Sequence, residues 1–246
     1  MMTSKYGEHT LCSLLFETSE NYEANLETLL LLVGQASKGS LLVAPEVCLT
    51  GFNYDDVEKA VDFASLAIDA IKKASLSKTI IFTMLEKVED EIFNMAKVFH
   101  DGEVVHQRAK ARLFHLGDED KHMSQGKDEE VEIVEVDGIK IAVLVCFELR
   151  FTELWEKMKG ADIIAVPSWW GVLRTQHFKS LTQSLAIINQ CYVIASDSLN
   201  AECSKASSII TPKGEVVFNG DLPSLEVAYD KKEITLMRRY IDVGIK

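Results

Sequence analysis

Positive charge, proline and paired cysteines are all scarce in this chain, and each scarcity closes a class of explanation. Lys and Arg number 26 against 38 Asp and Glu, a formal net charge of -12. A phosphate backbone or an anionic membrane surface is bound by clustered Lys and Arg. Neither nucleic acid nor membrane is therefore an expected partner, and the acidity reads as solubility. Only four prolines occur in 246 residues, and no repeat, low-complexity tract or Gly/Pro-rich linker breaks the composition. One domain spanning 1–246 is the natural expectation. The five cysteines, Cys12, Cys48, Cys146, Cys191 and Cys203, are odd in number, widely spaced and without a C-x-x-C pair. A disulfide framework and a zinc ribbon are both excluded on that pattern. Reduced thiols and a cytoplasmic location follow as expectations. The six histidines never form H-E-x-x-H, so no metal is expected. Residues 29–33 are a short apolar patch in an amphipathic stretch, far below the length of a membrane helix. Residues 1–9 are polar, and the apolar stretch after them reaches Glu17 quickly, unlike a signal peptide.

What is present is enough apolar material, 47% of residues, to bury a large core. Residues 11–16, 41–44 and 79–85 read as strands, with amphipathic helices over 21–35 and 55–74 between them. That alternation argues for an α/β layered fold. The middle of the chain reads instead as hairpins. Segments 92–99 and 103–108 flank Asp101-Gly102, and segments 130–136 and 139–146 flank Asp137-Gly138. A third pair, 207–211 and 215–218, flanks Pro212-Lys213-Gly214. Strands over 162–166 and 192–196 enclose a helix from about residue 176 to 190. Mixed sheets covered by helices are the expected result. The charged segment 117–130 lacks apolar periodicity and is expected to be a mobile surface loop.

Chemistry gathers at strand ends in α/β folds, and three strand ends here carry reactive side chains. Cys146 closes the apolar run Ile139-Lys140-Ile141-Ala142-Val143-Leu144-Val145 and precedes a segment, 149–158, that reads as a helix. A thiol there can be exposed, and a helix start favours the thiolate. Taken alone it reads more readily as a core residue, since free cysteine is among the most buried types. Glu46 follows Leu41-Leu42-Val43-Ala44-Pro45 and is a candidate general base, or else a solvated loop residue. Lys110 ends the strand after Asp101-Gly102 and is a candidate fixed cation, or else a surface lysine. Glu119, in the charged loop, is a weak candidate by itself. Together the first three supply what a thiol nucleophile needs: a base for its proton and a donor for an oxyanion. The lysine would lower the thiol pKa and burial would raise that of Glu46. Trp169 and Trp170 follow another strand end and read as a pocket wall or as core. Arg174 reads as a partner for a substrate carboxylate or as a brace for its loop.

The order P-E-x-x-x-T-G-F, K-x-R-L-F and V-C-F-E-L-R-F-x-E-L is similar to the nitrilase, or carbon–nitrogen hydrolase, superfamily. The similarity continues through Gly160-Ala161-Asp162-Ile163-Ile164, Pro167-Ser168-Trp169-Trp170, Arg174, His177-Phe178, Ala186-Ile187, Asn189-Gln190 and residues 208–214. The stretch after Pro167 looks closest to the branch acting on small linear amides, such as ω-amidases. The resemblance implies a four-layer α-β-β-α sandwich, pairing of two copies through the outer helices, and a Glu-Lys-Cys triad without cofactor. Carried over by position, Glu46 is the general base, Lys110 the oxyanion stabiliser and Cys146 the nucleophile. Glu119 matches a second glutamate that supports the triad, and the Phe147 N–H a second oxyanion donor. The implied reaction is hydrolysis of a small amide through a thioester.

Four features depart from the family pattern. Glu148 stands where Asp is frequent, Thr152 where Pro is, and Arg112 where His is. Leu185 and Ile188 replace the Arg and Glu of an A-R-A-I-E-N motif, which suggests a polar pair exchanged for apolar packing. These changes leave room for a catalytically silent binding or scaffold protein on the same fold. Nitrile, N-carbamoyl and acyl-transfer chemistry are further alternatives.

Overall fold

Alternation of side chains along the strands sets the layers. In β1 (Thr10–Leu14), Leu11 and Cys12 belong to different apolar clusters, so the two faces of the strand pack against different partners. The same alternation continues in β2 (Leu41–Val43), where Leu41 and Val43 share one cluster and Leu42 the other. The computed structural model describes residues 9–220 and 222–245. The expectation about residues 1–9 falls almost wholly outside that range.

One six-stranded sheet has the order β12-β1-β2-β3-β4-β5, with β3 (Thr79–Val88), β4 (Glu91–His100), β5 (Glu103–Ala109) and β12 (Ser224–Ala228). The second has the order β11-β10-β9-β8-β7-β6, built from β6 (Val134–Val136), β7 (Ile139–Val143), β8 (Ile163–Pro167), β9 (Tyr192–Ser196), β10 (Ser208–Ile210) and β11 (Val216–Phe218). Each sheet is parallel in its middle and antiparallel toward its edges. β1–β2–β3 and β7–β8–β9 are the parallel ladders. The sheets face each other across a core that joins Leu11, Leu41, Val43, Ile81 and Val98 to Ile141, Val143, Ile163, Ala165 and Ile209.

Helices cover the outer faces. α1 (Tyr22–Gln35) is capped by Asn21, whose side chain accepts from Ala24 N, and α2 (Val57–Ala74) by Asp56. Both lay apolar residues, Leu29 and Val33 from one, Ala64 and Ile71 from the other, on Leu42, Ile80 and Phe82. On the second sheet, α4 (Thr152–Lys157) and α5 (Thr175–Asn189) bury Leu154, Trp155, Phe178, Leu185 and Ala186. The result is the four-layer α-β-β-α sandwich. Among the described residues no helix is long and apolar enough to cross a membrane.

Several expectations need correction. The helix over 149–158 is instead a 3-10 turn, Cys146–Arg150, followed by α4, because Phe151 adopts an extended backbone between them. Segment 117–130 is not a solvated loop. It holds the short helix α3 (Glu119–His122), buries Glu119 and Met123, and bonds to the sheet through Ser124 N–H to Ile92 O and Gly126 N–H to Lys110 O. Leu185 and Ile188 do not form an apolar pair: Leu185 is 0% exposed in the core, whereas Ile188 is 48% exposed. β3 and β4 form a further hairpin, and β12 and α6 (Lys231–Tyr240) are elements the sequence reading did not locate.

Candidate active site

Four strand ends converge where the sheets meet. Beyond β2, Glu46 N–H donates to Ser168 O beyond β8 (3.3 Å), and Trp169 N–H returns a bond to Glu46 Oε2 (3.0 Å). Each sheet therefore orients the other's strand end. Lys110 directly follows β5, and Cys146 lies three residues past β7. Two of these positions have left-handed backbone in side chains that rarely adopt it: Val47, next to Glu46, at φ 43°, and Cys146 at φ 44°. Such strain costs about 1–3 kcal/mol per residue and persists where surrounding structure imposes it, often at functional sites.

The charged groups lock together out of solvent. The Lys110 ammonium donates to Glu46 Oε1 at 2.7 Å and to Glu119 Oε1 at 2.8 Å. Asn94 Nδ2 also donates to Glu46 Oε1, at 2.9 Å. Glu119 is fixed in turn by Phe114 N–H, 3.0 Å from Oε2. The Cys146 thiol donates to Trp169 O at 3.6 Å and lies near enough to Glu46 for the two to influence each other's protonation. It is 7% exposed, while Glu46 and Lys110 are fully buried.

Burial sets the protonation states. It pushes the Glu46 carboxyl above the usual carboxylate range; the Lys110 charge opposes and Glu119 adds to the rise. For Lys110, burial works against the ammonium, but Glu46 and Glu119 outweigh it and hold the pKa above that of an ordinary lysine. The thiol behaves contrary to the sequence expectation. Burial and then the Glu46 charge drive the Cys146 pKa well above normal, and Lys110 pulls it down too weakly to compensate. The resting sulfur is a thiol with the Glu46 carboxyl group beside it.

Cys146 forms part of the floor of a narrow cleft lined by Phe114, Phe147, Arg150, Trp169, Trp170, Gly171 and Arg174. All four candidate substrate contacts, Phe147, Trp169, Trp170 and Arg174, thus line one opening with the thiol. Trp170 is held from behind, its backbone N–H donating to Asp197 Oδ1 (2.8 Å) and its indole N–H to Arg174 O (2.8 Å). The Arg174 guanidinium lies over the Phe114 ring, 5.2 Å from its centroid. Arg150 stacks on the Trp170 ring at 4.9 Å. Glu148 is fully buried and paired with Arg108. The sequence reading missed Asn94, Arg150 and Asp197. Asn94 had one usable signal, a polar side chain inside the otherwise apolar strand Phe93-Asn94-Met95-Ala96.

Comparison with known proteins agrees with this architecture. The carbon–nitrogen hydrolase family model matches residues 11–239. The chain is 28% identical over 197 residues to 2-oxoglutaramate amidase of Bacillus subtilis, covering 76% of this chain and 75% of that protein. It is 27% identical over 229 residues to deaminated glutathione amidase of Escherichia coli, covering 87% of each. It is 29% identical over 192 residues to an E. coli omega-amidase, covering 74% of this chain and 72% of that one. Among solved structures, a CN-hydrolase superfamily protein of Xanthomonas campestris superposes with a TM-score of 0.84 at 20% identity, covering 95% of each chain. A member of the nitrilase superfamily from Saccharomyces cerevisiae gives 0.80 at 24% identity, covering 96% of this chain and 95% of that one. The protein whose strand ends bring Glu46, Lys110 and Cys146 together belongs to the carbon–nitrogen hydrolase family.

Proposed function

We propose that this protein is a cysteine amidase that cleaves a small linear amide to a carboxylate and ammonia. The observation that carries the reading is the buried Lys110 ammonium, gripped by Glu46 and Glu119, beside a thiol at the floor of a cleft. The raised thiol pKa means that attack and deprotonation go together. Cys146 Sγ bonds to the amide carbon as Glu46 takes the thiol proton. The Lys110 ammonium and the Phe147 N–H stabilise the oxyanion. Glu46 passes its proton to the nitrogen, the C–N bond breaks and ammonia leaves a thioester. Water then attacks, Glu46 takes its proton, the C–S bond breaks and the thiol is restored. Glu119 anchors Lys110 throughout, and no cofactor takes part.

The names of the relatives, 2-oxoglutaramate amidase and omega-amidase, favour an amide carrying a carboxylate at its far end. The cleft supports that choice, with the cations of Arg174 and Arg150 and no acidic side chain among its lining residues. Trp169 and Trp170 wall the acyl chain. The enzyme works in the cytoplasm, in keeping with five free cysteines, and as a homodimer. Pairing is supported by the exposed apolar residues Ile187 and Ile188 of α5 and Leu236 and Tyr240 of α6.

An ammonia-release screen over ω-amides of keto and amino acids, neutral amides, N-carbamoyl compounds and nitriles tests the reading. Turnover of a carboxylate-bearing amide is expected, with none by a folded Cys146→Ala variant. Turnover by that variant would overturn the assignment. Arg174→Ala is expected to raise KM for carboxylate-bearing amides more than for neutral ones.

A further inference from the structure

Lys110 and Cys146 arrive from different sheets, and a single buried ion pair ties their two segments together. Glu148 receives four hydrogen bonds. Arg108 Nη1 and Nη2 donate to Oε1 and Oε2 at 2.8 and 2.6 Å, Ala111 N–H to Oε1 at 2.6 Å, and Val145 N–H to Oε2 at 2.6 Å. Arg108 also donates to Val143 O at 2.6 Å and Ala109 O at 3.1 Å. Ala111 is the neighbour of Lys110, and Val145 the neighbour of Cys146. One carboxylate therefore bridges the residue after the cation and the residue before the thiol, while the guanidinium spans the ends of β5 and β7.

Neither side chain lines the cleft, and both are out of solvent, at 3% and 0% exposure. Such a pair is a poor device for stability alone, because removing two charges from water offsets their attraction, and apolar packing of similar volume does as well. What apolar packing cannot do is fix distance and direction, as a bidentate fork does. We infer that Arg108 and Glu148 are positioning residues that set where the Lys110 ammonium stands relative to the Cys146 sulfur. The inference rests on reading Cys146 as the nucleophile. Catalysis by placed groups is sensitive to displacements of about 1 Å, which can cost on the order of a hundredfold.

Two charge-conserving variants test it. Arg108→Lys keeps the cation but loses the fork, and Glu148→Asp keeps the carboxylate but shortens its reach by one methylene. Steady-state amide turnover and the rate of Cys146 alkylation by iodoacetamide, followed by peptide mass, are measured per folded molecule. Expected are a fall in kcat of tenfold or more, a KM within about twofold of wild type, slower alkylation, and a double variant little worse than the worse single one. Wild-type kcat and alkylation per folded molecule in both variants would overturn the inference, as would a change confined to KM. If Glu148→Asp does not fold, Arg108→Lys decides by the same criteria. Cys146→Ala is run alongside: its turnover would sink the nucleophile reading itself, whereas a dead Cys146→Ala with fully active positioning variants sinks only the inference.

Discussion

Removing the Lys110 ammonium would leave Glu46 and Glu119 facing each other without a cation in a site closed to water. Breaking a buried pair in this way costs about 3–5 kcal/mol, so Lys110→Met should lower the urea midpoint markedly, and more at high pH than at low. Turnover should fall by about a hundredfold or more if Lys110 is the proposed oxyanion donor. The raised Glu46 pKa places the acid limb of kcat/KM above the ordinary carboxylate range, because a protonated Glu46 cannot accept the thiol proton. A profile with its limb in the usual carboxylate range would contradict that role. Asp197, behind Trp170, offers a separate readout. Burial raises its pKa to about 7, against bonds from Ser204 and Trp170 that favour the charged form. Its folded pKa lies above its unfolded one, so its stabilising effect is whole at acid pH and is lost as pH rises through about 7. Asp197→Asn should flatten this decline, a difference of up to ~4 kcal/mol between acid and alkaline pH, read from urea melts. At this scale the strand-end positions of Glu46 and Cys146 are legible because each stands where an apolar run stops, and that of Lys110 because its strand follows the Asp101-Gly102 turn. The direction of the Cys146 shift was not, since it depends on burial and on two carboxylates distant in sequence.

Among the elements, segment 117–130 shows how charge misleads. Asp118, Glu119, Asp120 and Lys121 read as a solvated run, yet Glu119 turns inward because a buried ammonium awaits it. The segment is seated closely against β5: a Cβ on Gly126 would lie 2.5 Å from Ala109 O. Gly126→Ala should therefore push the segment off the strand and loosen Glu119 from Lys110. A loss of about 1–3 kcal/mol is expected from such overpacking, with a lower kcat, measured by thermal melting and amide turnover. The parallel strands and the long helices were readable from uninterrupted apolar runs and helical spacing. β12 and α6 were not. β12 is an edge strand without fully buried residues, and α6 buries only Ile234, so neither carries the apolar pattern that announces an element. The turn after Cys146 was read as helix because Leu149, Leu154 and Trp155 suit either form, and the extended Phe151 is a tertiary outcome.

At the scale of the whole molecule, the fold brings the ends of two sheets into contact and places the Cys146 thiol there beside the Glu46 carboxyl and the Lys110 ammonium. The four-layer arrangement was legible through its mixture of βαβ units and hairpins together with the family resemblance. The pairing of Glu46 with Ser168 and Trp169 across the sheets was not, because it is a contact at a separation of more than a hundred residues. Sedimentation of the proposed homodimer should give twice the chain mass, and Ile188→Glu on the exposed face of α5 should shift it to monomer. The central claim is that Cys146 carries the acyl group during turnover. Rapid acid quench of the enzyme cycling on a reactive ω-amide, followed by peptide mass analysis, tests it most directly. The expected result is one acyl increment on the Cys146 peptide that forms and decays at the rate of turnover. Turnover with that peptide unmodified at every time, or with the increment on another residue, would contradict it.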